Sequence, residues 1–173
     1  AMESSEPADA GARTFSQAAC WLVSDILSGE GRAQGAIGHI ATAKLPRAAW
    51  KTGTSAANRD AWTIAWNPEW VVAVWCGHKQ GHFGDARIAG AAAAAPAAWA
   101  MMRDLYPSGD GPWFDRPDDV VAREVCAVSG QPVSTICPGR RTAWSIRGRS
   151  SNAPCTVHRQ EADGRVVATA PKG

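Results

Sequence analysis

Apolar positions along this chain fall into blocks of different period. Phe15, Ala19, Leu22, Val23, Ile26 and Leu27 share one stripe at helical spacing, which predicts a helix over Phe15–Ser28. Thr14 or Ser16 could cap its start, and Gly29 can end it. Gly29–Arg47, with glycine at 29, 31, 35 and 38 and Pro46, reads as a loop. The period then changes. Ala49–Thr54 is a short strand. In Ala61–Trp66, Trp62, Ile64 and Trp66 alternate with Ala61, Thr63 and Ala65. Asn67-Pro68-Glu69 is a turn. Trp70–Cys76 is apolar on both faces, as expected of a strand covered on both sides. Three short runs with short links predict an antiparallel meander. A second helix is expected over about Ala86–Leu105, with a kink or restart at Pro96. Its alanine run, Ala91–Ala95, favours helix and lets a neighbour approach closely.

Beyond Tyr106 the pattern weakens into Pro107, Gly109, Gly111, Pro112 and Pro117, a linker. Val120–Val128, Thr142–Ile146 and Arg165–Ala168 are β-prone runs between turns. The predicted organisation is a disordered leader over residues 1–12, a main part over 13–115 and a small β-rich, cysteine-containing segment over 116–173. That last piece is too short to bury much core alone, so a cross-link or docking onto the main part is expected. The fold class is α+β: an antiparallel sheet flanked by helices.

Composition narrows the function. With 45% apolar and 20% charged residues the chain can bury a core. A net charge of +2, with both signs mixed, gives no case for nucleic acid or an anionic membrane surface as partner. Nine tryptophans stand against one tyrosine. Trp50, Trp62, Trp66, Trp70 and Trp75 cluster in the sheet region, where packing against strands is the commoner role and sugar stacking the rarer one. His78 and His82 are four apart among glycines that argue against an aligning helix, so no metal site is expected there.

The chemistry concentrates in Lys51-Thr52-Gly53-Thr54-Ser55. A lysine ammonium beside a nucleophile lowers the cost of forming its anion. Gly53 leaves room for a ligand against the strand. The Thr54 amide can meet a developing oxyanion, where such a donor is worth roughly 3 kcal/mol. The hydroxyls of Thr52, Thr54 and Ser55 can hold a carboxylate, and a substrate backbone can add to the strand. Arg59 and Asp60 just beyond read as a hairpin-stabilising pair in preference to cleft residues.

The run A-W-K-T-G-T-S-A-A-N-R-D-A-W over Ala49–Trp62 resembles the third-strand motif of penicillin-binding proteins, acyl-serine D,D-transpeptidases of peptidoglycan synthesis. Phe15–Leu27, Val71–Gly77 and Gly90–Met102 match neighbouring pieces in the family's order. Val125–Gly130, Cys137-Pro138 and Cys155–His158 resemble the tail of the bifunctional type 1C (class A) proteins. The resemblance implies the C-terminal half of a transpeptidase domain, with a partial β-lactamase-like fold, plus part of a tail. It implies Lys51 and Thr54 as catalytic, and Thr52, Gly53, Thr54 and Ser55 as substrate-binding. It also implies a stem peptide as partner, β-lactams as ligands of the complete protein, no cofactor, and the periplasmic face of the inner membrane, reached only through an N-terminal anchor outside this chain.

Departures matter equally. The family's Ser-x-x-Lys nucleophile is missing: the residues three before the lysines are Ala41, Ala48, Cys76 and Thr169. Ser150-Ser151-Asn152 matches the family's Ser-x-Asn only downstream of the strand motif, on the wrong side. The chain alone is therefore expected to be inactive, and a non-catalytic scaffold binding peptidoglycan or protein is the competing reading. Cys126, Cys137, Cys155 and His158 are spaced C-x10-C-x17-C-x2-H. One disulfide among Cys126, Cys137 and Cys155 is the preferred expectation in an oxidising compartment, ahead of free thiols and of zinc, so no metal is expected.

Overall fold

A computed structural model of the chain describes residues 13–29, 44–78 and 90–169. The expected leader, most of the Gly-rich loop, His39, His82 and the start of the expected second helix lie outside those residues. The chain divides into two compact units, one of Cys20–Asp115 and one of Ala1–Ala19 with Arg116–Gly173. The architecture is α+β, with antiparallel sheets and two α-helices among the described residues. None of those helices is long and apolar enough to cross a membrane.

Helix α1 spans Gln17–Leu27. Ser16 caps it, its hydroxyl accepting the Ala19 amide at 3.2 Å. The buried stripe differs from the predicted one. Ala18, Trp21 and Ser24 are buried, while Phe15, Val23 and Ile26 are exposed. Polar contacts choose this face. The Trp21 indole donates to the Phe114 carbonyl at 3.1 Å, Ser24 Oγ accepts the Trp66 indole at 3.1 Å, and Asp25 pairs with Arg47 at 2.7 Å. A buried indole N–H needs a partner, so these bonds outrank apolar periodicity.

The sheet is ordered β1–β2–β3, with β1 at Ala49–Thr54, β2 at Asp60–Trp66 and β3 at Val71–Gly77. Both pairings are antiparallel, with Trp50 opposite Ala65, Thr52 opposite Thr63, and Ala65 opposite Val72. Helix α2, Ala95–Leu105, follows a π-helical turn at Gly90–Ala94. The helix thus restarts beside Pro96, which sits in the first turn where its missing N–H costs nothing.

The core lies between α2 and one sheet face. Ala48, Trp50, Ala65 and Val72 pack against Ala95, Ala98, Trp99 and Met102. Trp50 and Trp99 meet edge to face at 6.0 Å. On β2 it is Ala61, Thr63 and Ala65 that are buried, and the large Trp62 and Ile64 remain 45% and 42% exposed. The alternation is as expected, but the small residues face the helix because the alanines of α2 approach closely. Strand β3 is likewise covered on one face only among the described residues: Val72 is buried, and Val71, Ala73 and Trp75 are exposed.

In the second unit β4 (Val120–Cys126) pairs with β5 (Arg140–Ile146), and β6 (His158–Gln160) with β7 (Val166–Ala168). Both hairpins are antiparallel. Val120 and Val125 are its buried valines. The core of the first unit yields a direct test: Met102→Ala, at a fully buried position, should cost about 2–5 kcal/mol of unfolding free energy. Met101→Ala on the exposed side of the same helix should stay within about 0.5 kcal/mol. Denaturant titration of both variants measures the difference, and equal effects would contradict this packing.

Candidate acyl-transfer wall and a cysteine–histidine cluster

Strand β1 opens on two buried residues, Ala49 and Trp50, of which Trp50 packs beneath α2. The following residues run out along the sheet's edge, with Lys51, Gly53, Thr54 and Ser55 exposed and Thr52 half-buried. Ser55 closes the strand. Its N–H donates to the Asp60 carbonyl at 2.9 Å, and its hydroxyl accepts the Asp60 N–H at 2.8 Å. The intervening turn places Asn58 at φ 51°, a left-handed conformation that asparagine tolerates. The Asp60 carboxylate accepts the Trp75 indole at 3.0 Å, so it serves the hairpin.

The Ser55–Asp60 bond fixes which backbone groups point outward. Main-chain groups alternate along an antiparallel strand. Ser55 points at β2, as do Gly53 and Lys51, so the N–H and C=O of Thr52 and Thr54 point to the outer edge. The Lys51 Nζ curls over that edge and donates to the Thr52 carbonyl oxygen. The Lys51 side chain, the Thr54 amide and the Thr52 and Thr54 positions lie along an edge that no described strand covers. The Ser55 hydroxyl already accepts one bond, which leaves its O–H to donate. A cradle for a Cβ at Gly53 is open, since it would meet only the Trp62 Cβ, at 3.8 Å.

The face of the sheet that carries Lys51 and Gly53 also carries Trp62, Ile64 and Trp75, an exposed apolar strip beside the ammonium. A groove of about 550 Å³ lies elsewhere, between the opposite edge strand and α2, lined by Trp70, Val71, Met101 and Leu105 among others. It does not reach Lys51. The downstream Ser150-Ser151-Asn152 is spent on local structure. Ser150 Oγ accepts the Ile146 amide at 2.9 Å, and Asn152 Oδ1 accepts from Arg123 at 3.0 Å.

In the second unit, Cys126 ends β4, Cys137 lies before β5, and Cys155 precedes His158, the first residue of β6. All four are buried. The three sulfurs converge together with the imidazole, and no two of them are bonded to each other. His158 Nδ1 is 3.5 Å from the sulfurs of both Cys126 and Cys155. Two serines overlooked in the sequence complete the surroundings. Ser129 Oγ donates to Cys155 Sγ at 3.2 Å, and the Ser134 amide donates to Cys137 Sγ at 3.4 Å. The Ser129 hydroxyl is the largest cause that draws the Cys155 thiol down to about 6, with the His158 and Val157 amides adding to it. The Ser129 amide lowers the Cys126 thiol in the same way. A serine three residues after Cys126 and another three residues before Cys137 were the available signal.

No protein-family model matches the chain. Over 157 residues it is 30% identical to penicillin-binding protein 1C of Escherichia coli, covering 87% of this chain and 19% of that protein. It is 28% identical over 157 residues to penicillin-binding protein 1A of Clostridium tetani, covering 86% of this chain and 20% of that one. The crystal structure of penicillin-binding protein 1A from Haemophilus influenzae shares the fold, with a TM-score of 0.54 at 18% identity over 72% of this chain and 17% of that one. The chain thus spans about a fifth of the length of the curated relatives it matches.

The edge geometry predicts that Gly53 is dispensable for folding. Gly53→Ala adds a methyl into open space at a backbone position without positive φ. Its unfolding free energy should stay within about 0.5 kcal/mol of the parent chain. A loss of about 2 kcal/mol or more in a thermal or denaturant melt would refute the open cradle.

Proposed function

The chain is homologous to penicillin-binding proteins 1C and 1A, and from that premise we propose that β1 is the substrate-facing wall of a peptidoglycan D,D-transpeptidase of the acyl-serine type. The observation that carries the reading is the exposed edge on which Lys51 and the outward amides of Thr52 and Thr54 come together.

The chemistry follows from that arrangement. A stem peptide ending in D-Ala-D-Ala lies antiparallel against β1, its backbone pairing with the outward groups of Thr52 and Thr54. The hydroxyls of Thr52, Thr54 and Ser55 hold its terminal carboxylate. A serine from the nucleophile-bearing part of the domain attacks the penultimate carbonyl, and the Lys51 ammonium stabilises the negative charge near it. The Thr54 amide receives the developing oxyanion. The C–N bond breaks, the terminal D-alanine leaves with a proton, and an acyl-serine remains. A neighbouring stem's amine then attacks the acyl carbon, forms the cross-link and returns the serine its proton. A β-lactam enters by the same route and stays on the serine. The apolar strip of Trp62, Ile64 and Trp75 beside Lys51 is where the rest of the domain would seat. The setting is the cell envelope, at the periplasmic face of the inner membrane.

A second reading, a scaffold that binds peptidoglycan or a wall protein without catalysis, is favoured by the absence of a serine three residues before any lysine in the chain. Fluorescent penicillin separates the two. The chain alone should show no covalent label. A chimera in which residues 49–105 replace the matching segment of the E. coli 1C protein should be labelled, and Lys51→Ala in that chimera should lower the labelling rate at least about 100-fold. A folded chimera without label, or full labelling after Lys51→Ala, would overturn the transpeptidase reading. Binding of peptidoglycan fragments by the unlabelled, folded chimera would favour the scaffold.

A further inference from the structure

The cysteine–histidine cluster plays no part in the acyl-transfer wall, and its four donor atoms converge on one buried point. One sulfur each from Cys126, Cys137 and Cys155 and one ring nitrogen of His158 all lie within 4.8 Å of one another. We propose that these four residues bind a single Zn²⁺ ion in a closed, tetrahedral, structural site. The inference concerns the second unit only and stands or falls independently of the transpeptidase reading.

Distances make the first argument. With Zn–S near 2.3 Å and Zn–N near 2.1 Å, the S···N edge of a tetrahedron is roughly 3.6 Å and its S···S edge roughly 3.8 Å. His158 Nδ1 sits 3.5 Å from Cys126 Sγ and 3.5 Å from Cys155 Sγ, which matches the expected edge on both sides. A disulfide would use two sulfurs at about 2.05 Å and strand the third thiol and the imidazole in the interior. The structure contains no such bond.

Ligand chemistry makes the second. Three sulfurs and one imidazole suit zinc and are poor ligands for magnesium or calcium, which take oxygen. Four protein donors fill the tetrahedron and leave no position for water or substrate, which marks a structural ion. Each thiol must give up its proton on binding. Outer-shell groups orient the sulfurs: Ser129 Oγ at Cys155 and the Ser134 amide at Cys137 both donate to sulfur. The backbone holds the ligands in place, with Cys126 N–H bonded to Gln131 O at 2.8 Å and Cys155 N–H to Pro132 O at 2.8 Å.

Architecture supplies the third. Cys126 and Cys137 belong to the β4–β5 hairpin and its turn, while Cys155 and His158 lead into the β6–β7 hairpin. The ion would tie the two small sheets together, and its binding free energy would become folding free energy.

The test uses the 173-residue chain, expressed with zinc and purified without chelator. Elemental analysis should find one zinc per chain, and exchange with Co²⁺ should give strong visible ligand-field bands of a tetrahedral thiolate site. Cys137→Ser and His158→Ala should each lose bound zinc, whereas Cys20→Ser and Cys76→Ser should keep it. Should the loss variants fail to fold, His158→Cys decides: it should retain zinc, with the cobalt spectrum moved to that of four thiolates. A chain folded by circular dichroism that carries no zinc and gives no cobalt bands would overturn the proposal. So would a mass two hydrogens lighter, mapped to a disulfide among the three cysteines.

Discussion

The close approach of an alanine-lined helix to a small-residue sheet face governs the first unit. Ala95 and Ala98 of α2 face Ala65 and its neighbours, and the gaps on either side are filled by Trp50, Val72, Trp99 and Met102. Small side chains on both surfaces allow dense packing, and dense packing leaves little freedom in how β1 lies. Once Trp50 is committed to that interior, strand alternation assigns the rest. Lys51 must take the other face, and the main-chain groups of Thr52 and Thr54 must take the outer edge. The placement of Lys51 and of the outward main-chain groups is therefore a consequence of where one indole is buried.

Most elements of the sheet were legible from the sequence because their signals are local. The bounds of β1 follow from a buried Ala-Trp pair and the serine that closes the strand, and β2 and β3 follow from alternation around Asn67-Pro68. What alternation could not say is which phase faces inward. Hydropathy favours burying Trp62 and Ile64, yet the neighbour is a surface of alanines that accepts only Ala61, Thr63 and Ala65. Helix α1 shows the same limit. Its inward face is chosen by an indole bonded to a carbonyl 93 residues away, a partner no window of helical length contains.

The cysteines are the sharper lesson. Intervals of ten and seventeen residues hide their convergence, because proximity arises from two hairpins folding back and not from a short knuckle. Spacing therefore gave little support to a metal site, and the oxidising compartment implied by the resemblance put a disulfide first. The buried imidazole changes the comparison, since a disulfide has no use for His158 and a four-donor cage does. That Lys51-Thr52-Gly53-Thr54 lies on a strand, by contrast, could be read residue by residue, because strand periodicity is a property of the segment itself.

Leaving β1 at an edge has a cost that its lysine helps to offset. A bare strand edge is a template on which any extended chain, including a second copy, can extend the sheet. A charged side chain curled over the Thr52 carbonyl obstructs the long, flat pairing that builds aggregates. A single ammonium at that position thus gives the bare edge the kind of charge that guards natural sheets against edge-to-edge pairing.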